Sequence, residues 1–232
     1  MQRNMLIFGA AVAAVALGGY AFMRDNQIAE SIAPATQITA DNTARTDESG
    51  TAQALDLSRV VEMTLGDPDA PVTIIEYSSF TCPHCANFNQ GAYRQLVENY
   101  VDSGQVQIIK REVYFDAYGL WAALVARCGG PERYHGIVEM LYQGQREWAG
   151  AQDGGQVAEN LRRIGRRAGM SDDELNACLA DRDMATALME VYRVNAERDG
   201  IRSTPSFMIN GRLYNNMSYA EFETAIAEAA GR

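Results

Sequence analysis

The 232 residues are 47% hydrophobic and 22% charged, and 20 basic against 30 acidic side chains leave a formal net charge of −10. A chain this apolar buries a core, which excludes general disorder, and an acidic surface offers no field to phosphate backbones, which argues against nucleic acid as a partner. Four cysteines are too few for a disulfide-dense miniature scaffold.

Residues 5–23 carry no charge and are built from Leu6, Ile7, Phe8, Val12, Val15, Leu17 and several alanines. As a helix rising about 1.5 Å per residue they nearly span the ~30 Å hydrocarbon core of a bilayer. Arg3 and the amino terminus precede them, so the positive-inside rule keeps the start in the cytoplasm and sends the rest across. The segment reads as an uncleaved anchor, given its length and the interfacial residues Tyr20 and Phe22. The alternatives are a signal peptide removed after the small residues Gly19 and Ala21, or a buried core helix. Residues 24–57 are rich in Ala, Thr, Asp, Asn and Ser without apolar periodicity, and read as a flexible linker. The folded domain is expected over 58–232.

Within it, Val60, Val61 and Met63 precede a turn at Gly66-Asp67-Pro68, and residues 71–77 form an apolar run between breakers that predicts a buried strand. A helix is expected over 83–100, with Phe88, Tyr93, Leu96 and Val97 on its apolar side. Residues 106–113 predict another strand. From Tyr118 to Arg198 the spacing is helical, with breaks at Gly129-Gly130-Pro131, Gly154-Gly155 and Gly169-Met170-Ser171, and Ser171 with Glu174 forms a capping-box start. The chain then returns to strand at residues 205–209, turns at Asn210-Gly211, and closes with a strand at 212–214 and an amphipathic helix over 218–229. Strands at both ends of a helical block predict an α/β sheet domain interrupted by a helical insertion at about 117–201.

The chemistry lies in Cys82-Pro83-His84-Cys85. A Cys-x-x-Cys that follows a strand and opens a helix puts the first sulfur over unpaired N–H groups, where the macrodipole favours a thiolate. Pro83 falls where a missing N–H costs nothing, and His84 can add a hydrogen bond or positive charge. A Cys82 thiol titrating near pH 4 would stabilise the reduced pair by roughly 4 kcal/mol at pH 7, on the order of 90 mV toward a more oxidising disulfide. Cys85, one turn into the helix, is expected to be the more buried. A zinc site would need a further ligand pair, and His84, His135, Cys128 and Cys178 are scattered, so no metal is expected. A purely structural disulfide across so small a loop would constrain the unfolded chain little. Cys128 and Cys178, both in the helical block, are expected to pair in an oxidising compartment, where a loop of roughly 50 residues contributes on the order of 4 kcal/mol. Two free thiols or a redox relay are the alternatives. His135 reads as a surface histidine.

The run Phe80-Thr81-Cys82-Pro83-His84-Cys85, the helical insertion and Ser203-Thr204-Pro205-Ser206-Phe207 together resemble the DsbA-like thiol:disulfide oxidoreductases of the thioredoxin fold, over about residues 65–229. The resemblance implies that Pro205 is a cis-proline facing the redox pair, with the Thr204 backbone exposed to an extended substrate. It implies a proton-transfer role for Glu76 at the second sulfur, against the alternative of a salt bridge with Lys110. It further implies reduced exported proteins as substrates, a DsbB-like membrane partner as reoxidant, and no cofactor beyond the Cys82–Cys85 disulfide. A reductase or isomerase, for example in cytochrome maturation, and a non-enzymatic binding or chaperone module remain as alternatives.

Overall fold

A computed structural model of the chain describes residues 44–46 and 52–231. The expected anchor or signal segment at 5–23 lies outside the described residues, as does most of the linker. Within the linker, strands β1 (Ala44–Thr46) and β2 (Ala52–Ala54) pair antiparallel. Among the described residues no helix is long and apolar enough to cross a membrane.

The main sheet has five strands: β3 (Met63–Leu65), β4 (Val72–Ser78), β5 (Val106–Glu112), β6 (Ser206–Ile209) and β7 (Arg212–Tyr214), in the order β3-β5-β4-β6-β7. Only β4 and β5 run parallel, joined by a helical crossover; the remaining neighbours are antiparallel. Asn210 and Gly211 take positive φ values of 43° and 84° at the β6–β7 hairpin, the conformation a two-residue turn demands. Alternation along β4 puts Val72, Ile74, Glu76 and Ser78 on one face. That face is covered by α1 (Pro83–Gln90), α2 (Ala92–Leu96) and α9 (Tyr219–Ala229), through Phe88, Leu96, Phe222 and Ile226.

The single helix expected over 83–100 is corrected to three pieces, because α1 stops at Gly91, whose N–H turns back to the Phe88 carbonyl. A side chain at Gly91 would bring its Cβ to 3.2 Å from the Asn87 carbonyl oxygen. After α2, Val97–Val101 forms one wider π-helical turn.

The insertion comprises α3 (Ala117–Cys128), α4 (Gly130–Gln143), α5 (Gln145–Ala149), α6 (Gly154–Arg167), α7 (Asp172–Leu179) and α8 (Arg182–Arg198). Gly154-Gly155 opens α6 rather than breaking a helix, since Asp153 caps it by accepting from the Gln156 N–H. The capping box of Ser171 and Glu174 starts α7. Leu124, Ile137, Leu141, Trp148, Leu161 and Leu175 form a second core, to which Phe80, Cys82, Cys85 and Ala86 also belong. The Cys pair therefore lies on the seam between sheet domain and insertion. Polar ties cross that seam: Arg127 of α3 grips Glu112 at the end of β5 with two bonds of 2.9 and 2.6 Å, and the Tyr134 hydroxyl donates to the same carboxylate at 2.8 Å.

Candidate active site

Strand β4 delivers the chain to a tight turn in which the Cys82 N–H donates to the Ser79 carbonyl at 3.1 Å. Cys82 is the N-cap of α1 in extended conformation (φ −83°, ψ 119°), and Pro83 occupies the first helical position, where its missing N–H leaves nothing unsatisfied. Both cysteines are free thiols in this structure. Cys82 is 9% exposed and Cys85 is fully buried; Pro83 and His84 are exposed beside them.

The two thiols are driven apart. Cys82 is lowered to about 5, first by a hydrogen bond from the Cys85 thiol, against the opposing effect of burial, and then by the neighbouring Thr204 side chain and the N–H groups of Cys85 and His84. Cys85 moves strongly upward, because it holds the proton given to Cys82 and because it is buried. The neighbouring thiol thus contributes more to the Cys82 thiolate than the helix amides on which sequence reasoning relied.

The Thr204–Pro205 peptide bond is cis. The Thr204 carbonyl oxygen lies 3.6 Å from the Cys82 Sγ, and the Thr204 hydroxyl is buried without a hydrogen-bond partner. Chain segments more than a hundred residues apart therefore meet at the reactive sulfur.

Glu76 lies under α1 and pairs with Lys110, its register partner on β5, at 2.6 Å. The lysine ammonium sits 3.9 Å from the centroid of the Tyr93 ring. Burial disfavours the Lys110 charge, yet Glu76, Tyr93 and Cys85 together hold its pKa above the ordinary lysine value. The second carboxylate oxygen of Glu76 is buried without a partner. Of the two alternatives for Glu76, the ion pair with Lys110 is formed, and it is electrostatically in reach of Cys85.

Cys128 and Cys178 are joined in a disulfide within the insertion, with their Cα atoms 5.9 Å apart. His135 is corrected from a surface residue to a half-buried one: its Nε2 is 2.8 Å from the Thr64 carbonyl, docking α4 on β3. Burial lowers its pKa. Among the described residues no three His, Cys, Asp or Glu side chains are grouped to hold a metal ion.

Sequence reasoning missed two residues that touch the redox loop. Asp116 caps α3 by accepting from the Gly119 N–H at 2.8 Å and also accepts from the Thr81 hydroxyl at 2.7 Å. Gln145 donates to the carbonyls of Phe80 and Cys82. The spacing of Asp116 and Gly119 hinted at a helix start, whereas nothing near Gln145 in the sequence points to residue 82.

A family model described as thioredoxin matches residues 58–228. A Rickettsia conorii protein, provisionally named a protein-disulfide oxidoreductase, is 32% identical over 172 residues, which cover 72% of this chain and only 60% of that relative's length. Disulfide bond formation protein D of Bacillus subtilis is 25% identical over 171 residues, 70% of this chain and 74% of the relative. Among solved structures, alpha-DsbA1 of Wolbachia pipientis aligns with a TM-score of 0.67 at 25% identity, covering 73% of this chain and 91% of that one.

Proposed function

This chain belongs to the DsbA-like thioredoxin family, and on that premise we propose that it is a thiol:disulfide oxidoreductase that donates its Cys82–Cys85 disulfide to reduced exported proteins. The observation that carries the reading is the split between two thiols one helical turn apart, one held at about 5 and the other pushed far up.

In the proposed cycle a substrate thiolate attacks the Cys82 Sγ of the oxidised pair. A substrate–Cys82 disulfide forms, the Cys82–Cys85 bond breaks, and its electron pair leaves on Cys85, which takes up a proton. A second substrate thiolate attacks the substrate sulfur of the mixed disulfide and expels Cys82 as a thiolate. The substrate loses two electrons as its disulfide forms, and the enzyme pair is left reduced. A leaving thiol of low pKa departs fast, which suits Cys82 to the second step.

At pH 7, two units above a pKa of about 5, thiolate formation favours the reduced pair by about 2.7 kcal/mol, less some solvent screening on the open side of the sulfur. That is on the order of 60 mV toward a more oxidising disulfide. The shift is smaller than a pKa of 4 would give, and its direction still favours giving the disulfide away.

We assign the proton taken up by Cys85 to the Glu76–Lys110 pair: the Lys110 ammonium, which donates to one Glu76 oxygen, holds the proton, and the free oxygen of the carboxylate can carry it on. Thr204 and Pro205, beside the sulfur, would hold the extended substrate by its main chain. Segment 5–23 would carry the domain out of the cytoplasm, as an anchor in the inner membrane or as a removed leader, and a DsbB-like membrane partner would restore the disulfide.

Equilibration with glutathione buffers tests the direction. An oxidase has a potential well above that of thioredoxin, whereas a value near about −270 mV would make the chain a reductase. Cys82→Ser separates enzyme from binding module: an oxidoreductase loses turnover, and a module keeps its activity.

A further inference from the structure

Gln145 opens α5, on the far side of the seam from the redox pair, and only 6% of it is exposed. Its Nε2 donates to the Phe80 carbonyl at 2.8 Å and to the Cys82 carbonyl at 2.9 Å. An amide nitrogen carries two hydrogens, so both are committed to the backbone of the redox loop. The Cys82 carbonyl is also the first acceptor of α1, bonded by the Ala86 N–H at 3.2 Å. Two elements distant in sequence therefore converge on the peptide that bears the reactive sulfur.

The donor is itself held in place. Trp148, on the same short helix, anchors to the Leu141 carbonyl through its indole N–H at 2.8 Å. Phe80, whose carbonyl Gln145 takes, packs its ring against Tyr142 with centroids 5.4 Å apart. A side chain fixed on one rigid element and bonded to two carbonyls of another fixes a dihedral angle as well as a distance. Here the dihedrals are the backbone angles of Thr81 and Cys82, which set the direction in which the Cys82 side chain leaves the chain toward the Cys85 thiol and the helix N–H groups.

We propose that Gln145 is a positioning residue of the exchange reaction: by holding the carbonyls of Phe80 and Cys82 it seats the Cys82 sulfur among its stabilising donors. The helical insertion thereby tunes a redox pair that it does not contain. This rests on the oxidoreductase reading above.

The test compares Gln145→Met, which keeps the volume and removes both hydrogens, with Ser171→Ala, which removes the capping box of α7 elsewhere in the insertion, each in the full chain. The readouts are the midpoint of the ultraviolet thiolate titration of Cys82, the rate of alkylation, and the unfolding temperature. Gln145→Met is expected to raise the midpoint by about one pH unit, a tenfold change in the thiol's ionisation constant. Ser171→Ala is expected to lower the unfolding temperature and leave the midpoint in place. An unmoved midpoint in Gln145→Met, or equal shifts in both variants, overturns the proposal.

If Gln145→Met does not fold, the unsubstituted chain decides. The side-chain amide resonances of Gln145 must then shift with the midpoint of Cys82, and resonances that stay constant through the titration overturn the proposal. A free-thiol midpoint in the unsubstituted chain would instead refute the oxidoreductase reading, whatever the variants do.

Discussion

Lys110 and Glu76 stand opposite each other on adjacent parallel strands and meet at 2.6 Å, the lysine side chain 3% exposed and the carboxylate 1%. Neither charge reaches water, so each is tolerated through the other. Glu76→Gln keeps an acceptor oxygen but leaves the buried ammonium without its counter-charge, and is expected to cost about 3–5 kcal/mol. Glu76→Gln combined with Lys110→Met removes both charges and should recover most of that loss. Urea unfolding of the reduced protein measures both. A double variant as unstable as the single one would contradict the reasoning.

The reduced protein should gain stability over the oxidised protein as pH rises from about 5. Cys82 titrates at about 5 when folded against an ordinary value of 9.0, so between these values the unfolded chain binds more protons. The contribution is complete above the unfolded value and is lost as pH falls through about 5. Its slope is at most about 1.4 kcal/mol per pH unit. Subtracting the oxidised protein's profile removes titrations that the two forms share. Unfolding of both forms at several pH values checks the sign, and parallel profiles would contradict it.

The sequence revealed what local chemistry encodes. Cys82, Pro83 and Cys85 announce a helix opened by a thiol; Asn210-Gly211 announces a hairpin; and alternation along β4 places Glu76 on a buried face. It left open what depends on elements meeting in space. The pattern of apolar residues runs unbroken past Gly91, so the end of α1 there is hidden from periodicity. Gln145 lies 63 residues from the Cys82 carbonyl it holds, and Asp116 lies 35 residues from the Thr81 hydroxyl. Nothing in a one-dimensional pattern distinguishes such a side chain from an ordinary polar one. Even for Glu76, the strand register was needed to decide that Lys110 is its partner.

Replacing Cys128 and Cys178 together by serine opens a loop with a sequence separation of 50. In the chain-entropy model this costs about 4 kcal/mol. The redox pair lies outside that loop in sequence, so the potential of Cys82–Cys85 should stay constant while the denaturation midpoint falls. A changed potential would mean that the second disulfide acts on the first.

Asp116→Ala removes the N-cap of α3 and the tie to Thr81. The expected loss is about 1–2 kcal/mol, read as a lower unfolding temperature. Asp116→Asn retains a capping oxygen and should recover most of it, and an Asn variant no better than Ala would rule out the capping role.

The most direct test of the account is the thiolate titration of the reduced pair. One thiol, abolished by Cys82→Ser, should ionise with a midpoint near 5, and Cys85→Ala should raise that midpoint because the neighbouring thiol is its largest stabilising donor. A Cys82 that ionises at about 8.5, like free cysteine, would contradict the account.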